Sequence, residues 1–261
     1  MIDSIVYFAL AILCSEFKLY ATKDNLEGRI VDGEDVKIRK YPHAVFLEVI
    51  KTDDSTHVCG SSVLNQHFLL TAAHCFGNNE REMEDKILAY AGHENLKKTN
   101  IVRKTRSPIV HERYDFEEIV NDIALVYLPR ALPLGKNVMR IIITKSFPLS
   151  TKGTIAGWGV INDLTNEETI LLKAITQTVK SKRTCSRVTS GPGMLCAGSL
   201  RSSDPRPAEG DSGSGLITQN YQLIGLLSYK MTALPALPVY TNVSYYYNWI
   251  KYHIKKRCMK N

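Results

Sequence analysis

The sequence lacks an apolar segment long enough to cross a bilayer. Its longest uninterrupted apolar run is Ile5–Cys14, ten residues, whereas a transmembrane helix needs about 20. The run lies where the hydrophobic segment of a secretory signal peptide is found, although Asp3 precedes it and no Lys or Arg does. We therefore predict a signal peptide over residues 1–21, cleaved between Ser15 and Ala21, and a secreted, extracellular protein without a membrane span. The alternative interpretation is a buried N-terminal strand.

Internal repeats, low-complexity segments and the Cys/His spacings of zinc or haem sites are also absent, so no metal and no cofactor is expected. Acidic residues are in the minority, because 26 Asp and Glu stand against 33 Lys and Arg, a formal net charge of +7. No basic stripe is interleaved with aromatic residues, which argues against a nucleic-acid partner. A basic soluble protein is the simplest interpretation. The basic tail at 251–257 leaves binding to polyanions such as sulfated glycans as an alternative.

Short apolar runs separated by turn residues recur along most of the chain. Many short strands at this spacing are typical of a β-barrel or β-sandwich. Breakers in Leu128–Gly135 indicate a crossing between two halves. Trp249, Ile250 and Ile254 predict one closing amphipathic helix within Tyr245–Lys256. The predicted strands cover Ala44–Ile50, His67–Leu70, Lys86–Ala91, Ile123–Leu128, Gly153–Ala156 and Gln222–Leu227.

Three short segments carry the residue types of nucleophilic catalysis. His74 lies in Thr-Ala-Ala-His-Cys, Asp122 in Asn-Asp-Ile-Ala-Leu, and Ser212 in Glu-Gly-Asp-Ser-Gly-Ser-Gly. A serine hydroxyl is a poor nucleophile at neutral pH, and it needs an imidazole to take its proton and a buried carboxylate to hold that imidazole in the right tautomer. Each segment alone is weak evidence, because each is common in loops and strand ends. Together, in the order His, Asp, Ser, they predict a catalytic triad.

With these segments the sequence resembles the chymotrypsin/trypsin family of secreted serine endopeptidases, from Ile30 to about His253. The resemblance implies an all-β fold of two packed six-stranded antiparallel β-barrels with a C-terminal helix. It also implies a site in the cleft between the barrels, and a trypsin-like peptidase domain over residues 30–261. Further matching segments are Arg29–Gly33, Cys59–Val63, Ala156–Gly159, Met194–Gly198, Val239–Val243 and Trp249–Ile250.

The resemblance also implies a role for each residue of the site. Ser212 would be the nucleophile, His74 the general base and then the general acid, and Asp122 the buried carboxylate that orients it. The backbone N–H groups of Gly210 and Ser212 would form the oxyanion hole. Ser228 matches a position that supports the buried aspartate.

The segment around Arg29–Ile30 resembles an activation site. Residues 22–29 would be a propeptide, removed by cleavage after Arg29. The new Ile30 ammonium would pair with Asp211 and thereby form the oxyanion loop. An Arg before the cut implies a trypsin-like protease as the activator. The alternative is an ordinary Arg-Ile dipeptide without processing.

Six cysteines fit secretion, and Cys14 falls within the predicted signal peptide. The resemblance implies two disulfides, Cys59–Cys75 and Cys185–Cys196. Cys258 is then left over, and an odd cysteine in a secreted protein is a free thiol or an intermolecular partner. A monomer is expected unless Cys258 pairs between chains.

The specificity pocket departs from the family pattern. Family members usually carry a disulfide beside the nucleophile, where this chain has Ala208 and about Ala233. The floor position is Arg206 instead of the Asp of trypsin-like enzymes, so cleavage after Lys or Arg is not expected. A register shift in this Pro-rich loop would instead bring Asp204 nearer the floor. Ser228 begins the wall, which continues with Tyr229, Lys230 and Pro238.

These departures leave two functions open. The first is a serine endopeptidase that acts on protein or peptide substrates and, if Arg206 awaits an anionic ligand, prefers Asp or Glu before the scissile bond. If Arg206 instead pairs internally, with Asp204 or Glu209, only small or no side chains are accepted and the enzyme is weak or inactive. The second is a catalytically weak or inactive homologue that acts as a binding module. A serine esterase is disfavoured, because no strand-to-helix nucleophile elbow occurs in the sequence.

Overall fold

The structure, a computed structural model, describes residues 30, 33–77, 86–106, 108–147, 151–162, 165–189 and 191–259. The predicted signal peptide at 1–21 and the predicted propeptide at 22–29, with Arg29, lie outside the described residues. Over the described ranges, no helix has both the length and the apolar character needed to span a bilayer.

Short strands make up most of the regular structure in these ranges. In chain order they are β1 (Glu34–Asp35), β2 (Ala44–Ile50), β3 (Thr56–Asn65), β4 (Phe68–Thr71), β5 (Lys86–Ala91), β6 (Ile101–Thr105), β7 (Pro108–Val110), β8 (Ala124–Tyr127), β9 (Ile142–Ile143), β10 (Lys152–Gly157), β11 (Lys173–Thr178), β12 (Met194–Cys196), β13 (Gly215–Thr218), β14 (Gln222–Tyr229) and β15 (Val239–Asn242). The helices are α1 (Lys182–Cys185) and α2 (Tyr247–Cys258).

The strands form two curled sheets, which confirms the predicted all-β architecture. The first has the order β6-β5-β2-β3-β4-β8-β7 and is antiparallel throughout its described pairs. The second has the order β1-β11-β10-β13-β14-β15-β12, with β9 added parallel to β14. The described residues thus give seven and eight strands rather than six and six, because β1, β7 and β9 are pieces of two or three residues added to the sheets.

Alternating apolar side chains fill the interior of each sheet. In β2, Val45, Leu47 and Val49 are buried, while the residues between them are mostly half-buried, as a strand with one core-facing side requires. A second cluster includes Ile155 and Leu216 of the second sheet. A third cluster combines residues of both sheets with the helix, including Phe68, Leu125, Leu223 and Ile250. This shared core fixes the two sheets against each other, and with them the ends of their strands.

The closing helix is present, two residues later than the sequence predicts at either end. It runs from Tyr247 to Cys258, with Ile250 and His253 buried. The short helix α1 was not expected from the sequence. The Ser181 side chain caps it by accepting a hydrogen bond from the Thr184 N–H at 3.3 Å.

Candidate active site

Strand pairing brings His74 and Asp122 together. His74 lies in a 3-10 turn, Ala73–Phe76, shortly after β4 ends, and Asp122 lies just before β8 begins. Because Thr71 of β4 pairs with Ala124 of β8 in antiparallel register, these two residues meet at one sheet edge. His74 Nδ1 donates to Asp122 Oδ2 at 2.9 Å, and the His74 backbone N–H donates to Oδ1 at 2.9 Å.

The second sheet completes the surroundings of Asp122, which is only 1% exposed. Ser228 Oγ at the end of β14 donates to Asp122 Oδ2, and Thr241 Oγ1 of β15 donates to the Asp122 carbonyl at 2.6 Å. Burial alone would raise the pKa of this carboxyl. The charge of His74 and the hydrogen bonds from His74 and Ser228 outweigh burial and hold the pKa below its ordinary value. Asp122 is therefore a carboxylate at neutral pH.

The same pair sets the charge state of the imidazole. Burial by itself lowers the pKa of His74, but the Asp122 charge and hydrogen bond outweigh it and raise the pKa above its ordinary value of 6.5. An ionised carboxylate can only accept hydrogen bonds, so Nδ1 carries the proton and the other ring nitrogen is the basic one. The side chain keeps 20% exposure, which leaves part of the ring open to a substrate.

Ser212 lies beside the turn that carries His74. The Ser212 carbonyl accepts a hydrogen bond from the Gly60 N–H at 2.7 Å, and Cys75 Sγ lies 4.0 Å from the same oxygen. Among the described residues, Ser212 Oγ makes no hydrogen bond to His74. Such bonds are often long in free enzymes and shorten only when substrate is bound.

Two backbone N–H groups in the turn at Ser212, its own and that of Gly210, have no acceptor among the described residues. In the described part of the chain, the N–H groups of Gly210 and Ser212 donate to no acceptor, whereas those of Asp211, Gly213 and Ser214 do. Gly210 has a φ of 86°, a left-handed value that side chains other than glycine adopt with strain. This turn therefore offers a pair of free donors of the kind that binds a developing oxyanion.

Asp211 points away from this turn and is fully buried. Its Oδ1 accepts from the Gly159 N–H at 2.8 Å, and its Oδ2 from the Ala208 N–H at 2.9 Å. Ile30 is also fully buried, in one cluster with Tyr240. Burial and then the charge of Asp211 raise the pKa of Tyr240.

A cavity of about 120 Å³ opens beside Ser212. Of the predicted pocket residues, Ser228, Tyr229 and Lys230 line it, and Arg206 and Pro238 do not. Its remaining lining residues are Pro207, Ala208, Glu209 and Leu227, as well as Ser212 itself. Glu209 and Leu227 were not predicted as pocket residues, although both lie within or next to the recognised segments.

The two predicted pocket residues outside the cavity have other surroundings. Arg206 Nη1 donates to the Ser202 carbonyl at 3.1 Å, within its own loop. Pro238 is buried, and its carbonyl accepts from the Ala197 N–H at 3.3 Å. Asp204 is half-buried and does not line the cavity either.

Comparison with known proteins shows the family to which this chain belongs. The family model "Trypsin" matches residues 30–250. A chymotrypsin of Phaedon cochleariae is 31% identical over 240 residues, 87% of this chain and 83% of the relative. Trypsin eta of Drosophila melanogaster is 33% identical over 243 residues, 89% of this chain and 91% of the relative. The chain belongs to the trypsin family.

Two solved structures agree with this chain in fold. One titled "Structure of GrC" superposes with a TM-score of 0.75 at 25% identity, and covers 86% of this chain and 99% of its own. The structure of HL collagenase has a TM-score of 0.74 at 21% identity, with 86% and 98% coverage. The second likeness shows the fold alone.

A larger cavity of about 330 Å³, which the sequence did not predict, is lined in part by Gly210. Apolar side chains such as Phe46 and Trp158 line it together with His57, Glu168 and Glu209. Burial and then the neighbouring charge of His74 lower the pKa of His57. Glu209 lines both this cavity and the smaller one beside Ser212.

Both predicted disulfides are formed, Cys59–Cys75 and Cys185–Cys196. Cys258 is a free, exposed thiol. The sulfur atoms of Cys59 and Cys75 lie within 4.8 Å of a His74 ring nitrogen, but this group offers no metal site, because a disulfide has no thiolate to bind an ion.

Proposed function

We propose that this trypsin-family protein is a serine endopeptidase, secreted as a zymogen and activated by cleavage at Arg29–Ile30. Ser212 is its nucleophile, and His74 and Asp122 complete the triad. The observation that carries the proposal is the pair of free N–H groups at Gly210 and Ser212, beside a histidine whose tautomer a buried carboxylate fixes.

The mechanism assigns each proton and bond. His74 Nε2 takes the proton of Ser212 Oγ, which attacks the scissile carbonyl carbon. The carbonyl oxygen becomes an oxyanion that accepts hydrogen bonds from the Gly210 and Ser212 N–H groups. His74 then gives its proton to the leaving amine, the C–N bond breaks, and an acyl-enzyme remains. Water, activated by the same imidazole, hydrolyses the ester and restores Ser212.

Covalent labelling tests this proposal directly. After cleavage at Arg29, a fluorophosphonate should form an adduct on Ser212, located by peptide mass spectrometry, and Ser212→Ala should abolish both adduct and peptidase activity. His74→Ala should slow labelling by a factor of about 10³ or more. Ser202→Ala, in an exposed loop, is the matched control and should label like the wild type. Unchanged turnover in the Ser212→Ala protein would refute the mechanism.

A specific observation favours the alternative of a weak or inactive homologue. Where the family pattern joins the pocket walls by a disulfide, the chain has Ala208 and about Ala233, and Ala233 is exposed. Walls without this covalent link depend on packing and on hydrogen bonds such as that from the Tyr229 hydroxyl to the Val188 carbonyl. If the cleaved protein folds, forms no adduct and still binds peptides, the binding-module function replaces the proposed one.

The cavity beside Ser212 supports a small aliphatic residue before the scissile bond. About 120 Å³ is less than the cavity of about 150 Å³ that holds benzene in an engineered protein. Lys230 and Glu209 line it with opposite charges, so no net charge calls for an ionised side chain. Arg206, on which an acidic preference would depend, bonds to Ser202 instead.

A positional peptide library tests this preference. With the Arg29-cleaved protein, we expect Ala or Val to exceed Asp, Phe and Arg by at least about 10-fold in kcat/KM, since each misfitting methylene costs roughly 1–3 kcal/mol. Strong cleavage after Asp or Glu would restore Arg206 as the determinant. Strong cleavage after Lys or Arg would instead favour the register that brings Asp204 to the pocket.

A further inference from the structure

The outer face of α2 presents lysines and no carboxylate. Residues 247–259 contain Lys251, Lys255 and Lys256, all exposed, and neither Asp nor Glu. Lys251 and Lys255 lie one turn apart on the same face, about 6 Å along the axis. Like charges at this spacing destabilise a helix, and an anionic ligand on this face would remove that repulsion.

Tyrosine rings contact the ammonium groups of Lys251 and Lys256, and that of Lys145 from outside the helix. Lys251 Nζ lies 5.5 Å from the Tyr247 ring centroid, and Lys145 Nζ lies 5.7 Å from the same centroid. Lys256 Nζ lies 5.5 Å from the Tyr252 centroid. Cation–π contact orients an ammonium group without removing its charge. We call Lys145, Lys251, Lys255 and Lys256 the lysine row, and among the described residues none of the four forms an ion pair.

The carboxylate in contact with α2 does not neutralise the row. Glu112 Oε1 accepts from His253 Nε2 at 2.9 Å, and Oε2 accepts from Trp249 Nε1 at 2.8 Å. Both donors belong to the inward side of α2, and Arg257 likewise lies inward, 4.5 Å from the Tyr127 ring centroid. The outward face therefore keeps its positive charge.

The form of the lysine row favours one kind of polyanion. A lipid surface requires a continuous outward apolar face, but Ile250 is buried and Ile254 half-buried in the core, and the exposed Tyr252 and Met259 are separated by lysines. Single-stranded nucleic acid requires free aromatic faces for stacking, whereas lysine ammonium groups already lie against the rings of Tyr247 and Tyr252. Compact ammonium charges spread over the outward face of a helix fit a flexible anionic chain in water, with no base or lipid tail to accommodate.

We propose that the lysine row binds a sulfated polysaccharide. Its sulfate groups would accept hydrogen bonds from the lysine ammonium groups, and the polymer would follow the axis of α2. This function lies beyond the proposed catalysis and does not depend on it. Such binding would concentrate the protein wherever sulfated glycans are dense.

Two charge-matched variants test the proposal in the full chain. One carries Lys251→Gln, Lys255→Gln and Lys256→Gln, and the other Lys97→Gln, Lys98→Gln and Lys104→Gln. The control lysines are also exposed, but they lie next to or within β6, at one end of the first sheet. Helix α2 contacts Tyr127 of β8, which lies near the other end of that sheet. Each variant loses the same net charge. Heparin affinity is measured against salt concentration by titration calorimetry, with the circular dichroism spectrum and the thermal unfolding midpoint of each variant as a check of the fold.

We expect the α2 variant to bind heparin at least about 10-fold more weakly and its salt slope to fall by about 2–3, since each lost contact releases close to one counterion fewer. The control variant should change by less than about 2-fold. Equal losses in the two variants would overturn the proposal in favour of net charge alone. Equal affinity for desulfated heparin, or tighter binding to duplex DNA or phosphatidylserine vesicles at the same salt, would also overturn it.

Discussion

Among single residues, Asp122 has the largest effect on the charge of His74. In the proposed mechanism the neutral imidazole is the base, so activity should be lost as pH falls through the pKa of His74, which lies above 6.5 in the intact pair. We expect Asp122→Asn to lower kcat about 10⁴-fold, because the wrong tautomer becomes favoured. Without the carboxylate only burial remains, which lowers the pKa of His74, so the acidic limb of the residual activity should move below pH 6.5.

The measurement is a kcat/KM profile between pH 5 and 9 for both proteins. Ser228→Ala provides an intermediate case, since it removes one donor to Asp122 but leaves the charge in place. An acidic limb that stays at the same pH in Asp122→Asn would show that another group controls the profile.

A substitution at Gly210 tests the proposed oxyanion hole, the N–H groups of Gly210 and Ser212, in the turn that we call the oxyanion turn. At a φ of 86° an added Cβ is strained, and it would lie 3.1 Å from the Gly159 Cα. Gly210→Ala should therefore tilt the free N–H groups and lower kcat about 10²–10³-fold, while KM changes little. Gly135→Ala is the matched control, since no heavy atom lies within 4 Å of its added Cβ. A Gly210→Ala protein with wild-type kcat would contradict the role of this turn.

At the scale of elements, the sequence predicts the strands that coincide with apolar runs. The bounds of β2 and β5 are as predicted, because each is a nearly continuous apolar run of six or seven residues. β7, β9 and β12 have only two or three residues, too few to show a period, and only their partners fix them. Helix α1 likewise depends on the cap at Ser181 and the disulfide at Cys185 more than on an amphipathic pattern.

The residues of the candidate site also differ in how well the sequence predicts them. His74, Asp122, Gly210 and Ser212 stand in contiguous segments that could be recognised one by one. The cavity lining could not be predicted in full, because the course of the loop around Arg206 is set by a bond to Ser202 and by packing that no local pattern encodes.

The disulfide Cys185–Cys196 ties α1 to β12 beside the cavity wall. It packs in one cluster with Tyr229, whose hydroxyl donates to the Val188 carbonyl at 2.8 Å. Replacing both cysteines with serine should lower the free energy of unfolding by roughly 3 kcal/mol, as expected for a loop of this length. Denaturant unfolding of the oxidised proteins measures this. Cys258→Ser, an exposed free thiol, is the control and should change stability by less than about 0.5 kcal/mol.

At the scale of the whole molecule, the two sheets contribute different parts of one site. The first sheet supplies His74 and Asp122, and the turn before β13 of the second supplies Gly210 and Ser212. Residues from both sheets fill one core, so the relative position of the sheets determines whether the parts meet. Ile30 is buried in the core of the second sheet, and Asp211, next to Ser212 in the chain, is also fully buried.

Activation by cleavage would act on the whole molecule. Cleavage after Arg29 would convert the Ile30 amide into an ammonium group near Asp211, and a buried carboxylate is stabilised by such a partner. We therefore expect Arg29→Gln protein to stay full length under a trypsin-like activator and to hydrolyse peptides at least about 10²-fold more slowly than cleaved wild type. N-terminal sequencing establishes the cut. In cleaved wild type, a carboxylate partner raises the pKa of the new α-amino group above its ordinary value near 8. Activity should thus persist through neutral pH and fall once alkaline pH removes this proton. Full-length Arg29→Gln protein working at the mature rate would show instead that the oxyanion turn forms without the ammonium group.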